Sequence, residues 1–446
     1  MDSLFKILLA LLLPVAAAVC GCASGPVVGR EVLADPAMRF EPGNSIEVLD
    51  PEAQVRAQSD APMPPNTVMT ALDFAREPGG DINGTRFFSS LRAAVEIFSG
   101  FGLEAGYGLS VKNNLVQKLD GFAGPVDYDQ TRHGPDAALV LDDGTSVFRG
   151  GYRYRTSWDG ELHEPSVSAR TSVLRHDTIL EVGYRHGIAT VTIPADKLPA
   201  EGTVDDEYTV DRLYAALEQG FLPGWNLRLD MAVMLEEGFL QSPFRLVSLW
   251  SQRDSASGSY LGVPRTEPEN HPGSRFRWGA LFRVRRVLPA LKSVFELGAG
   301  HGSGSWRVEH SQVSAAYLQR LGEQFTLQLR AGAYHQTRAS FYRDEYPAAP
   351  PGAYWSADRS LCSFVAWWAE PAVVWTIIPE RGRVLSMFKY LTIALGAKVV
   401  SVDYAWEGLE KNNGFTSYPS LAAGQTRQTH DGGLSLGGYL GIEGGF

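Results

Sequence analysis

Cysteine is nearly absent from this chain. Three stand in 446 residues, and two of them, Cys20 and Cys22, lie at the end of the opening apolar stretch. A disulfide framework and a multi-cysteine metal site are therefore excluded. A surplus of positive charge is missing as well: 40 Lys and Arg face 50 Asp and Glu, a net charge of −10. With no basic block, nucleic acid is not expected as the main partner. Enzyme signatures are wanting too. There is no Gly-x-Ser-x-Gly elbow, no His-Glu-x-x-His pair and no Walker loop, and no two of the nine histidines stand four apart. What the chain has in quantity is glycine, 47 residues where ~7% is usual, and aromatics, at 11%.

The first segment reads as an export signal. Lys6 is followed by an apolar run over residues 7–19, interrupted by Pro14. Such a run is too short for a spanning helix, which needs ~20 residues, so removal is expected. Gly21-Cys22, with Val19 upstream, resembles a lipobox and makes Cys22 the expected lipid attachment site; ordinary cleavage near Ala23 or Ser24 is the alternative. Ala23 stands where Asp would retain a lipoprotein in the inner membrane, so outer-membrane delivery is allowed. Residues 23–65 are then a periplasmic leader and linker. The portion 41–65 is polar and rich in proline, without hydrophobic period.

From residue 66 onward the period is two. Residues 226–236 set Leu227, Leu229, Met231, Val233 and Leu235 against Arg228, Asp230, Ala232, Met234 and Glu236. Residues 325–335, 274–286 and 178–186 alternate in the same way. Strands of this length, apolar on one face and carrying arginine or aspartate in mid-strand on the other, suit a barrel crossing a bilayer, where ~9–11 tilted residues span the core. An open sheet would leave unpaired backbone groups in lipid. A large secreted β-sandwich is the soluble rival. The expected fold is all-β, an antiparallel transmembrane β-barrel of roughly 14–18 strands, over residues 66–446.

The final strand alternates through Leu440, Ile442 and Phe446. A terminal aromatic on such a ladder looks like the signal read by barrel assembly machinery, an expected partner beside outer-membrane lipid. Three turn-rich stretches, 252–273, 342–360 and 409–432, are expected outside. Residues 361–379 are apolar, and Glu370-Pro371 in their middle predicts strand, short turn, strand, since proline costs a helix interior ~3 kcal/mol. Gly298, Gly300, Gly302 and Gly304 strip one strand face, predicting a bend or bulge, with a ligand groove as the alternative. Arg228, Asp230, Arg275, Arg277, Arg283, Arg285 and Arg330 are the candidate lumen charges. They would form a salt-bridge network with carboxylates such as Glu236 and Glu296, or line an anion-selective passage. Ser303 near His301 is the one arrangement that admits a barrel enzyme acting on lipid. No cofactor is implied, and Cys362 is given no chemistry.

Two resemblances accompany these residues. The leader, through Gly21-Cys22-Ala23-Ser24 and Leu33-Ala34-Asp35-Pro36-Ala37-Met38-Arg39-Phe40, resembles a family of small uncharacterised bacterial lipoproteins. The body resembles an uncharacterised outer-membrane β-barrel family, a domain of unknown function. It does so through residues 178–187, 238–247, 269–275 and 328–342, where Ser242 and Gly273 replace acids of the family pattern. The second resemblance implies an outer-membrane location. Because such barrels are similar to those encoded beside small lipoproteins, it also implies thioredoxin-like or flavin-attachment proteins in the periplasm as partners. A passive channel or transport scaffold is the expected function, a non-conducting envelope scaffold the second, a barrel enzyme the third.

Overall fold

Alternation becomes structure because an extended chain turns successive side chains to opposite faces. The computed structural model describes residues 66–77, 84–115, 127–173, 178–193, 204–241, 246–250, 252–253, 260–261, 265–343, 346–347, 352–356, 361–378, 388–404 and 433–445. The signal, Cys22, the leader and Phe446 lie outside the described residues. The strands are β1 (Thr67–Glu77), β2 (Gly84–Phe98), β3 (Phe101–Leu115), β4 (Asp127–Asp142), β5 (Ser146–Ser157), β6 (Gly160–Val173) and β7 (Thr178–Ile193). Then come β8 (Val204–Leu222), β9 (Trp225–Gly238), β10 (Leu246–Trp250), β11 (Gln252–Arg253), β12 (Tyr260–Leu261), β13 (Arg265–Pro268) and β14 (Ser274–Leu288). The last are β15 (Ser293–Gly304), β16 (Glu309–Leu321), β17 (Phe325–Gln336), β18 (Tyr346–Pro347), β19 (Phe364–Ile377), β20 (Tyr390–Tyr404) and β21 (Gly433–Gly445).

Sixteen of these, β1–β9, β14–β17 and β19–β21, form one closed barrel. Neighbours pair antiparallel, and β1 closes on β21 with Leu72 opposite Leu440 and Thr70 opposite Ile442. The fold is thus an all-β antiparallel barrel, and its strand number falls inside the expected range. Closure satisfies the backbone without an edge. Among the described residues no helix is long and apolar enough to cross a membrane.

The two ends differ. At one end β2–β3, β4–β5, β8–β9, β14–β15 and β16–β17 are joined by tight turns, and Thr67 and Gly445 pair at that same end. In the β4–β5 turn, the N–H groups of Ser146 and Thr145 donate to Asp143 at 2.6 and 2.8 Å. They hold its carboxyl below the usual carboxylate range. The long connections from β9 to β14, β17 to β19 and β20 to β21 all leave the opposite end.

Two of those connections, expected to be plain polar loops, fold on each other. The strand β10 pairs with β13 and with β18, and bridges join Asn270 to Trp355 and Tyr342 to Ser356. Tyr346 is buried, and its hydroxyl accepts from the Ser356 N–H at 2.8 Å and donates to backbone carbonyl oxygen. Burial pushes its ionisation up to about 12. Beneath this cap, Trp306, Tyr334, Tyr342, Leu361, Cys362 and Phe364 form a buried apolar cluster, so Cys362 is a packing residue.

Two expectations are corrected. Residues 364–377 are one strand, not strand-turn-strand. Pro371 stands opposite Leu329 on β17 without interrupting that ladder. Toward β20 the pairs run from Ala369–Val399 to Ala372–Gly396 with no shift of register. Proline loses one N–H donor, and the strand continues past it. The β15 glycines do not mark a bulge either, since its registers with β14 and β16 are continuous. They face the lumen, where a Cβ on Gly298 would meet Ser314 Oγ at 2.6 Å and one on Gly300 would meet Gln312 at 3.1 Å. Side chains of the neighbouring strands and the backbone carbonyl oxygens of Ala280, Trp278 and Phe276 on β14 occupy that space.

Candidate functional site

The barrel wall separates two chemistries. Outward positions carry Leu103, Leu139, Phe148, Val167, Phe282, Leu297, Val313, Leu329, Trp367, Val373 and Leu395, all exposed. Burying such side chains in lipid instead of water is favoured by about 1.5–3 kcal/mol each. Without a bilayer this surface would be an apolar patch far larger than soluble monomers show. The alternate positions face inward and carry the charges. Strand parity alone produces this, because adjacent residues point to opposite sides of a sheet.

The inward charges form ion-pair clusters along the wall. Arg228 is held by Asp230 at 2.8 Å, Glu218 at 3.2 Å and Glu181 at 3.3 Å. Asp230 also receives Arg283, at 2.5 Å. Arg285 meets Glu296 at 2.9 Å and Arg277 meets Glu236 at 2.9 Å. Arg275 lies 4.0 Å from Glu236, with its guanidinium 4.4 Å above the Trp306 ring. On the far side of β16, Arg330 stands 3.7 Å from Glu370. The structure therefore places all seven candidate residues on the lumen face, gathering Arg228, Asp230 and Arg283 in one cluster and leaving Arg330 apart.

A second group escaped the sequence reading. Arg92 bonds Glu104 at 3.2 Å, and Arg149 reaches the same carboxylate at 3.0 Å. Arg155 lies 3.5 Å from Asp136, while Arg153 and Arg185 share Glu164 at 3.3 and 3.7 Å. The alternation of Arg149, Arg153 and Arg155 against Phe148, Tyr152 and Tyr154 was the available signal. Single exposed pairs are worth ~0–1 kcal/mol. Here the partners are mostly buried and share carboxylates, so losing one member leaves another unpaired.

This group, with residues nearer the long loops, lines a cavity against β1–β8 that is partly open to solvent: Arg92, Asp136, Arg153 and Glu164 are on its wall. Met69, Phe88, Arg132, Arg155, Asp159 and Tyr208 are among the residues on its wall. The cap lies over the rim of β14–β19, so the cavity and the cap occupy different sides of the barrel mouth. Among the described residues no group of three or more His, Cys, Asp or Glu is placed to hold a metal ion. Ser303 and His301 both face outward, and the His301 Nδ1 is bonded to Ser311 Oγ at 3.0 Å.

A family described as a protein of unknown function (DUF3570) matches residues 192–382. That span holds all seven candidate lumen residues. No curated protein matches the chain. Among solved structures, a bacterial polysaccharide outer membrane secretin is similar with a TM-score of 0.44 and 9% identity, over 85% of this chain and 98% of that one. A loop-deletion mutant of OmpT, an outer membrane protein of Vibrio cholerae, scores 0.36 at 7% identity, over 85% and 97%. OccK11 (OpdR) of Pseudomonas aeruginosa scores 0.31 at 12% identity, over 84% and 94%.

Proposed function

We propose that the chain is an integral outer-membrane barrel that works as a passive channel for small polar solutes, its N-terminal side in the periplasm. The observation that carries this reading is the division of the wall: apolar outside, charged inside, with a solvent-continuous cavity at the long-loop end. Ion-paired arginines and carboxylates give the passage fixed charges of both signs. Such a lining favours small zwitterionic or polar solutes over ions of one sign. The reading includes no enzymatic step. It takes the barrel assembly machinery as the partner that inserts the chain, and Cys22 as an added lipid anchor.

A second reading rests on the folded cap. Loops that pack on each other over the β14–β19 rim suit a sealed scaffold in an envelope complex, with periplasmic thioredoxin-like or flavin-attachment proteins as partners. Planar-bilayer recording of the refolded full chain separates the two. Stepwise conductance with weak ion selectivity is expected from the channel. Insertion with no conductance would remove the channel reading and leave the scaffold.

A further inference from the structure

Charge is not spread evenly around the lumen. Among the described residues, the ion pairs on the side of Arg228 and Arg330 join six arginines to six carboxylates. On the side of the cavity they join six arginines, Arg92, Arg132, Arg149, Arg153, Arg155 and Arg185, to four carboxylates. Three of the four, Glu104, Asp136 and Glu164, each serve two arginines. The surplus is presented by two side chains. Arg132 is 36% exposed and Arg155 19%, against 12% or less for the other four. Both stand on the cavity wall.

Local sequence explains how Arg155 is placed. Pro135 has no N–H to give across the ladder, and β4 and β5 are unpaired between the pairs His133–Thr156 and Asp136–Arg153. The Arg155 guanidinium takes the carbonyls there: Nη1 donates to Gly134 at 2.7 Å, to Tyr154 at 2.8 Å and to Pro135 at 3.1 Å. Gly108 stands opposite Gly134 and leaves room for it, since a Cβ on Gly108 would meet Arg155 Nη2 at 2.9 Å. Neutral carbonyls thus fix the group without cancelling its charge, while Asp136 lies farther off, at 3.5 Å, and is shared with Arg92. Arg132 lies 3.9 Å from Asp159, which also accepts from the Ser157 hydroxyl. On either side of these two cations the cavity wall is apolar, with Met69 and Phe88 on β1 and β2, and Leu162 and Val191 on β6 and β7. A guanidinium suits a carboxylate through two parallel N–H bonds, and the apolar flanks suit a ring or short hydrocarbon beside it. Phosphate or sulfate, hydrated all round, would leave those flanks unused.

We propose that this cavity is a binding site for small carboxylates with an apolar body. Arg132 and Arg155 hold the carboxylate, and the flanks led by Phe88 and Leu162 cover the body. This rests on the channel reading above and names a solute class for its cavity. The passage as a whole carries both signs, so the consequence is retention at this site and not strong ion selectivity throughout. The test is calorimetric titration of the full chain folded in detergent micelles. The probes are benzoate, benzamide (the same ring without charge), acetate (the same charge without a ring), leucine and inorganic phosphate. The variants are Arg132→Gln and Phe88→Ala.

Benzoate should bind the native chain about tenfold more tightly than benzamide or acetate. Arg132→Gln should weaken benzoate about tenfold and leave benzamide unchanged, and Phe88→Ala should weaken benzoate about fivefold and leave acetate unchanged. Benzamide or acetate binding as tightly as benzoate would overturn the inference, and so would benzoate binding that neither variant alters. Tighter binding of leucine would make the site one for zwitterions, and tighter binding of phosphate a plain anion site; either overturns it. If a variant does not fold, the series of probes on the native chain decides alone. Conductance without a preference for benzoate would remove this inference and keep the channel, whereas benzoate bound by a barrel that does not conduct would keep the site and remove the channel.

Discussion

Asp230→Ala is expected to destabilise the folded barrel by about 2–4 kcal/mol, the lower part of the range reflecting water in the lumen. Arg228 and Arg283 stand directly opposite each other on β9 and β14, and like charges so placed repel. Asp230 bonds both, at 2.8 and 2.5 Å. Without it, Arg228 keeps Glu218 and Glu181, while Arg283 faces a cation. Urea unfolding in detergent micelles, followed by heat-modifiable migration, should show a lower midpoint. The double variant Asp230→Ala/Arg283→Ala should recover most of the loss, because the stranded charge goes too. An unchanged midpoint for the single variant would show that the cluster is not coupled.

Removing residues 433–446 is expected to abolish folding altogether. The strand β21 is the seam, paired along its length with β20 on one side and β1 on the other. Its loss opens two edges inside the apolar band, and each unsatisfied backbone group in hydrocarbon costs several kcal/mol. Leu440 lies between Leu72 and Leu395, so the truncation also strips the outer face of continuous apolar cover. The truncated chain should be recovered only as aggregated or degraded material. A heat-modifiable, protease-resistant product would mean that β20 and β1 can close on each other.

Much of this architecture was legible where one strand face is wholly apolar and the other carries charge. The strands β9, β14 and β17 were readable for that reason, and so were the lumen positions of Arg228, Arg283 and Arg330. The end of β7 was not: beyond Ile188 its outward residues become Thr190 and Thr192, and the apolar ladder that marks a strand disappears although pairing continues to Ile193. The course of β19 was misread because proline was treated as a break. Its missing N–H affects one ladder only, while its ring is at home on the lipid side. The cluster around Glu104 and Glu164 was missed because Gly106, Gly150 and Gly151 dilute the alternation of β3 and β5. The cap depends on contacts between residues such as Glu269 and Ser356, far apart in the chain, which no local pattern reports.

The account stands on the claim that the apolar face of this barrel lies in lipid. The direct measurement is refolding of the full chain from urea with and without phospholipid vesicles, read by heat-modifiable migration and by protection from added protease. Folding that depends on the bilayer, with the strands protected and cleavage confined to the long loops, is the predicted result. A folded, monodisperse, protease-resistant protein in buffer without lipid or detergent would contradict it.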